Sequence, residues 1–351
     1  MYSRLDRRFV MKGMTAVASA GLLGSSRAAF AQGGEIATTS FPGAWEQAIR
    51  SIIIPVFKER TGANVNLTAQ NPNDSVSKAI ASKANPPYDA LLLDEGPYIA
   101  AKEHGIFETI PTDLIPNMKD LPAKFIDPNG LGVFVSGQII GIAYNPERIK
   151  VPPKSWQDLL KPEYKGRVGL AGMGATLNVA WMVEMAKLGG GNEENLEPAY
   201  KFLRRLMPNV GALTISPGSL ATLFQQGQVD ISVHYNNNVG DLQAKGVPIA
   251  LAKPDTGFLL IRSTMHIAKN SRNQKLAAQY INTVIDPAVQ TKMSSSPYHL
   301  VPTNSKVAFS EGLQRYAKNM SEIETFKTVD WTKFNPRFAE YTDQCNRIVK
   351  R

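Results

Sequence analysis

The chain has 351 residues, 43% of them apolar and 20% charged, with 39 Lys and Arg against 30 Asp and Glu, a formal net charge of +9. That length and apolar content support two globular lobes with a sizeable core. The basic excess contains no Lys/Arg runs, so nucleic-acid binding is not expected, and one cysteine, Cys345, permits no disulfide within the chain.

Residues 1–31 have the three parts of an export signal: a charged start, a short apolar run from Gly13 to Gly24, and a small-residue stretch ending Ala29-Phe30-Ala31. Arg7-Arg8 before Phe9, Val10, Met11 and Lys12 resembles the twin-arginine export motif. The apolar run is shorter than the ~20 residues that span a bilayer. Cleavage is expected near Ala31, giving a periplasmic protein of two lobes. The segment carries a net +4, so the remainder is left with +5 of the chain's +9.

After this segment, strands and helices alternate. Ile36–Thr39 reads as a strand. Trp45, Ile49, Ile52, Ile53, Val56 and Phe57 recur at helical spacing, with a break expected at Pro55 and a stop at Gly62. Val65 and Leu67 mark a second strand. Ala90–Leu93 is a continuous apolar run suited to a parallel strand covered on both faces, and Tyr98–His104 follows as a helix. Gly132–Val135 and Ile139–Tyr144 are β-rich and separated by Ser136-Gly137. Val168–Leu170 is a strand. Leu177, Ala180, Trp181, Met185 and Leu188 form a helical stripe that stops at Gly189. Asn192 is expected to cap the next helix, with Glu193 and Glu194 in its first turn. Strands over Ala212–Ile215 and Val229–Tyr235 bracket a helix ending at Gly227. Phe258–Ile267 is β-rich and Leu276–Ile285 helical, and the tail after Phe309 becomes helical near its end.

This alternation predicts α/β lobes built on largely parallel sheets with flanking helices. Lobe one is expected over 32–135 plus 264–310, lobe two over 136–263, and a C-terminal helical segment over 311–351. The β-rich runs near 132–144 and 258–267 are candidates to pass between the lobes, with a hinge at Ser136-Gly137 and Arg262-Ser263.

Catalytic motifs are missing. His104, His234, His266 and His299 fall in no metal-ligand spacing, there is no G-x-S-x-G elbow or Walker loop, and Gly172-Met-Gly174 lacks the third glycine of a dinucleotide fingerprint. An enzyme, a metal site and a cofactor are therefore not expected. Ligands of α/β sheets lie beyond the carboxyl ends of strands, and five loops hold that position: Ser40–Gly43, Asp94–Pro97, Gly172–Thr176, Ser216–Ser219 and Tyr235–Asn238.

Several stretches resemble the ABC-transporter extracellular solute-binding proteins, in the group that holds the spermidine/putrescine-binding and ferric-iron-binding proteins. They are Trp45–Val65 (WEQAIRSIIIPVFKERTGANV), Tyr88–Asp94 (YDALLLD), Gly141–Pro146 (GIAYNP), Ser155–Gly166 (SWQDLLKPEYKG) and Gly227–Tyr235 (GQVDISVHY). The resemblance covers about residues 36–310. It implies the type II periplasmic binding protein fold, two α/β lobes with the ligand cleft between them, closure about the hinge, and delivery to an inner-membrane ABC permease by a monomer. In Lys253–Gly257, Asp255 falls where the polyamine binders have an acid, whereas Ala171–Thr176 has none where they supply some. His234-Tyr235-Asn236 has one tyrosine where the iron binders have two.

The expected ligand is a small amine-bearing solute, a short polyamine or an amino-acid-like molecule, with an organic phosphate, phosphonate or other anion as the alternative. Phe41, Tyr98 and Tyr235 are expected to pack on it. Asp94, Glu95 and Asp255 would meet its positive group, and Ser40, Thr176, Ser216 and Asn236 would hydrogen-bond to it. Ser136, at the hinge, is counted with the ligand-facing residues.

Overall fold

The computed structural model describes residues 33–350, so the expected export signal and cleavage point lie outside the described residues. β1 (Glu35–Ser40) leads into α1 (Ala44–Ala48), a π-helical stretch Ile49–Ile53, and α2 (Ile54–Thr61). Pro55 does not end this helix. Proline lacks an N–H and its ring crowds the carbonyl one turn back, and the wider π turn just before it absorbs that crowding. Gly62, at φ 70°, closes α2 in the left-handed conformation, its N–H donating to Lys58 O at 2.8 Å.

The chain continues through β2 (Asn64–Ala69), α3 (Pro72–Ala81), β3 (Ala90–Asp94), α4 (Glu95–Ala101) and β4 (Val133–Tyr144). Next come β5 (Val168–Leu170), α5 (Thr176–Leu188), α6 (Glu197–Leu206), β6 (Val210–Leu213), α7 (Pro217–Gln225), β7 (Ile231–Tyr235), α8 (Asn236–Ala244) and β8 (Ala250–Ala252). β9 (Leu259–Ile267), α9 (Gln274–Val284) and α10 (Pro287–Ser294) follow. The tail holds α11 (Glu311–Gln314), α12 (Met320–Ile323), α13 (Trp331–Phe334) and α14 (Phe338–Val349).

Three local expectations change. The two β runs around Ser136-Gly137 are one twelve-residue strand, β4, buried throughout. Its register against β9 shifts between Phe134 and Ser136, so the Ser-Gly pair marks an irregularity inside a strand. α5 has no single apolar stripe: every residue from Thr176 to Ala186 is buried. Asn192 does not cap α6. Its Oδ1 accepts from the amides of Glu194 and Asn195, closing a turn, and the helix begins at Glu197.

The strand order is β2-β1-β3-β9-β4-β7-β5-β6, with β8 beside β4. Parallel pairing is confined to the two ends, β2-β1-β3 and β7-β5-β6. The long strands β4 and β9 pair antiparallel with each other and with β7 and β3. One apolar cluster gathers on α5 and α6 around Trp156, Trp181 and Phe202. A second gathers on the first helices around Trp45, Ile49, Phe57 and Tyr280. The tail packs into these interiors: Trp331, Phe334, Tyr341, Cys345 and Ile348 belong to the α5/α6 cluster. Leu313 and Ile323 cover Ile139 and Leu260 of the long strands. Among the described residues no helix is long and apolar enough to cross a membrane.

Candidate functional site

Parallel strands place their carboxyl ends at one edge, and here the edges of both ends of the sheet meet around one cavity of about 530 Å³. Phe41, Pro42 and Trp45 come from the turn after β1 into α1. Asn71, Pro72 and Asn73 follow β2, and Asp94 ends β3. Gly174, Ala175 and Thr176 follow β5, Pro217 follows β6, and Tyr235, Asn237 and Asn238 end β7 and open α8. Gln138, in the middle of β4, completes the wall.

Asp94 is the one charged residue among those lining it. It is 4% exposed. Burial raises its carboxyl from 3.8 to about 7, against the opposing hydrogen bonds of the Thr176 and Ser263 hydroxyls and with a further push from Glu95. Ser263 Oγ in turn accepts from Gln138 Nε2 at 3.3 Å, linking the acid to β4. The Tyr235 phenol is driven well above its ordinary range by burial and then by Asp94, so it stays protonated as a donor.

Two polar atoms of this wall have no protein partner. Trp45 Nε1 is a buried donor and Asn237 Oδ1 a buried acceptor, on side chains 1% and 2% exposed. Leaving such groups unpaired is costly. α3, α5 and α8 also begin at the cavity without a side-chain cap, so the positive ends of their helix dipoles lie beside it. The site thus combines one buried acid, aromatic faces from Phe41, Trp45 and Tyr235, carboxamides, and helix N-termini without side-chain caps.

Four of the residues singled out from sequence, Phe41, Asp94, Thr176 and Tyr235, are brought together here. The others lie elsewhere. Ser40 is buried and donates to Phe41 O. Glu95 is paired with Arg262, whose Nε lies 3.0 Å from Oε2 and whose Nη2 bonds Oε1, so its charge is already met. Tyr98 stacks on His266 at 4.2 Å between centroids, inside an apolar cluster. Ser136 donates to Val301 O and lines a different cavity beside Leu260 and Phe326. Ser216 accepts from Ser219 N–H as the cap of α7. Asn236 is a clamp: its Oδ1 accepts from Ile139 N at 2.8 Å and its amide donates to His299 O at 2.6 Å. Asp255 is exposed in a turn held to Lys154.

Sequence reasoning passed over Asn71–Asn73, although they hold the same strand-to-helix position that flagged the other loops. The helical spacing marks Trp45 only as core, and nothing local marks Gln138. His234 and His266 are fully buried, and burial lowers them to about 3 and about 4, so both rings are neutral packing groups.

A sequence model of the bacterial extracellular solute-binding protein family matches residues 53–321. The chain belongs to that family and is a solute-binding component of the ABC-transporter kind. It is similar to the spermidine/putrescine-binding periplasmic protein of Escherichia coli K12, with 22% identity over 302 residues, 82% of this chain and 84% of that one. Among solved structures it resembles the periplasmic binding protein AgtB of A. tumefaciens R10 in complex with agropinic acid. The TM-score is 0.76 and the identity 16%, over 91% of this chain and 99% of that chain. It also resembles a putative spermidine/putrescine ABC transporter protein of Listeria monocytogenes, with TM-score 0.73 and 18% identity over 89% and 98%. The fold is that of the periplasmic binding proteins.

Proposed function

We propose that this protein is exported, its leader removed near Ala31, and captures a small amine-bearing solute in the periplasm for delivery to an inner-membrane ABC permease. Asp94 carries the reading. A carboxylate buried without a cation of its own becomes favourable when an ammonium replaces the lost water. Phe41, Trp45 and Tyr235 supply faces that suit a cation or an apolar body. A single acid matches one ammonium, which favours an amino-acid-like solute over a long polyamine. The positive dipole ends of α5 and α8 suit a carboxylate at its other end.

The lobes are taken as 32–135 plus 264–310 and 136–263. Closure about Ser136-Gly137 and Arg262-Ser263 would bring the two walls onto the solute, since contacts made in only one arrangement shift the equilibrium toward it. The protein acts as a monomer in this reading.

Thermal melting against putrescine, spermidine, γ-aminobutyrate, amino acids and organic phosphates tests the proposal. A bound solute at 100 times its dissociation constant adds about 2.7 kcal/mol. An amine-dependent shift that disappears in Asp94→Asn supports the reading. The helix amides favour a second reading, a purely anionic solute. In that case Asp94→Asn should strengthen binding, and only the phosphates should raise the melting temperature.

A further inference from the structure

Resting on the amine reading, we infer that the solute's amine carries an uncharged, largely apolar substituent, which lies in a second chamber formed by the C-terminal tail. A cavity of about 650 Å³ adjoins the first, and Asn73, Gly174 and Thr176 line both. These three residues form a neck. Thr176 is also the residue whose hydroxyl meets the Asp94 carboxyl, so the second chamber begins one side chain away from the acid.

Beyond the neck the walls include Pro97, Val179, Trp331 and Phe338, with Asn335 beside them and Ala100, Pro336 and Ala339 exposed at the rim, and no charged residue is among those lining it. The tail is fixed there from two sides. Asn335 Nδ2 donates to Gly96 O at 3.0 Å, and the Tyr341 hydroxyl donates to Met173 O at 2.8 Å. Trp331 packs so closely on Gly96 that a Cβ there would lie 2.4 Å from the indole. At the neck, a Cβ on Gly174 would lie 3.6 Å from the tip of the Phe338 ring, so any larger side chain at 174 narrows the passage.

The chemistry of the chamber selects its occupant. A second ammonium would lose water there without a counter-charge, at the uncapped starts of α3 and α5, and both effects oppose it. A phenyl or alkyl group meets Trp331, Phe338 and Val179 and gains by burial.

Calorimetric titration of the purified protein with n-butylamine, 4-phenylbutylamine and 1,4-diaminobutane tests this, since the three share one amine and differ at the far end. 4-Phenylbutylamine should bind at least about tenfold tighter than n-butylamine, and 1,4-diaminobutane should gain nothing over it. Ala339 is exposed on the first turn of α14, so Ala339→Trp fills the chamber without burdening the core. This variant should remove the phenyl advantage and leave n-butylamine within about twofold. Equal binding of the two monoamines, a tighter diamine, or equal losses for both monoamines in Ala339→Trp would overturn the chamber alone. Failure of any amine to bind, or amine binding unchanged in Asp94→Asn, would overturn the amine reading and the chamber with it.

Discussion

Replacing Asp94 with asparagine separates what this residue does for the fold from what it does for the solute. The carboxyl is buried, and its folded value, about 7, lies above the 3.8 of a free aspartate. An acid raised on folding keeps its proton in the folded state while the unfolded chain has lost it. Stability therefore falls as pH rises through that window, by about 1.4 kcal/mol per pH unit. The gap between 3.8 and about 7 corresponds to at most about 4 kcal/mol, fully present as a deficit above pH 7 and absent near pH 4. Asparagine carries no charge and still bonds the hydroxyls of Thr176 and Ser263. Urea denaturation of both proteins from pH 4 to pH 8, without solute, should show equal stabilities at the acid end and a more stable variant at pH 8. Amine affinity should move the other way, with a loss of roughly a hundredfold at pH 8 from leaving an ammonium buried without its partner. Wild-type affinity should itself weaken as pH drops below 7 and the carboxyl takes up its proton. A variant no more stable than the wild type at pH 8, or a stability gap that does not grow with pH, would refute this account of Asp94.

Glu95→Gln should cost about 1–2 kcal/mol in a denaturant melt. It leaves Arg262 without its acid, and Arg262 is 30% exposed, which softens the loss. Amine affinity by calorimetry should stay within about twofold, and a large loss would return Glu95 to the site. Asn236→Ala strips partners from the buried Ile139 N–H and His299 carbonyl and should cost roughly 2–4 kcal/mol of unfolding free energy. Gly96→Ala forces Trp331 aside and should cost about 1–3 kcal/mol, with a shift in tryptophan emission as that ring moves.

Much of the fold was legible in the chain. Ala90–Leu93 reads as a buried strand because four successive apolar residues suit nothing half-exposed, and Gly62 reads as a stop because its left-handed backbone suits glycine. Both are local facts. Pro55 was legible as a disturbance, yet whether it ended the helix or widened one turn depended on the packing of Ile49 and Ile53 around it. α5 looked amphipathic, and only its position, sunk on all sides into the core with Trp181, shows why its polar residues are buried as well.

The candidate site divides in the same way. The alternation of strand and helix marked which loops face the cavity, because strand polarity determines where each strand's carboxyl end lies. Neighbours in sequence then separated. Asp94 and Glu95 are adjacent, yet Asp94 lines the cavity while Glu95 is bound to Arg262, 167 positions away. Tyr235 and Asn236 are adjacent, yet one lines the cavity and the other clamps β4 to the loop after α10. One residue's rotation about a strand end turns a side chain to the other face, and its partner comes from a distant part of the chain. Sequence alone therefore determined the alternating architecture and the ring of loops. Tertiary structure decided which carboxylate lines the cavity, and placed Trp331 and Phe338 of the tail around the cavity that adjoins it.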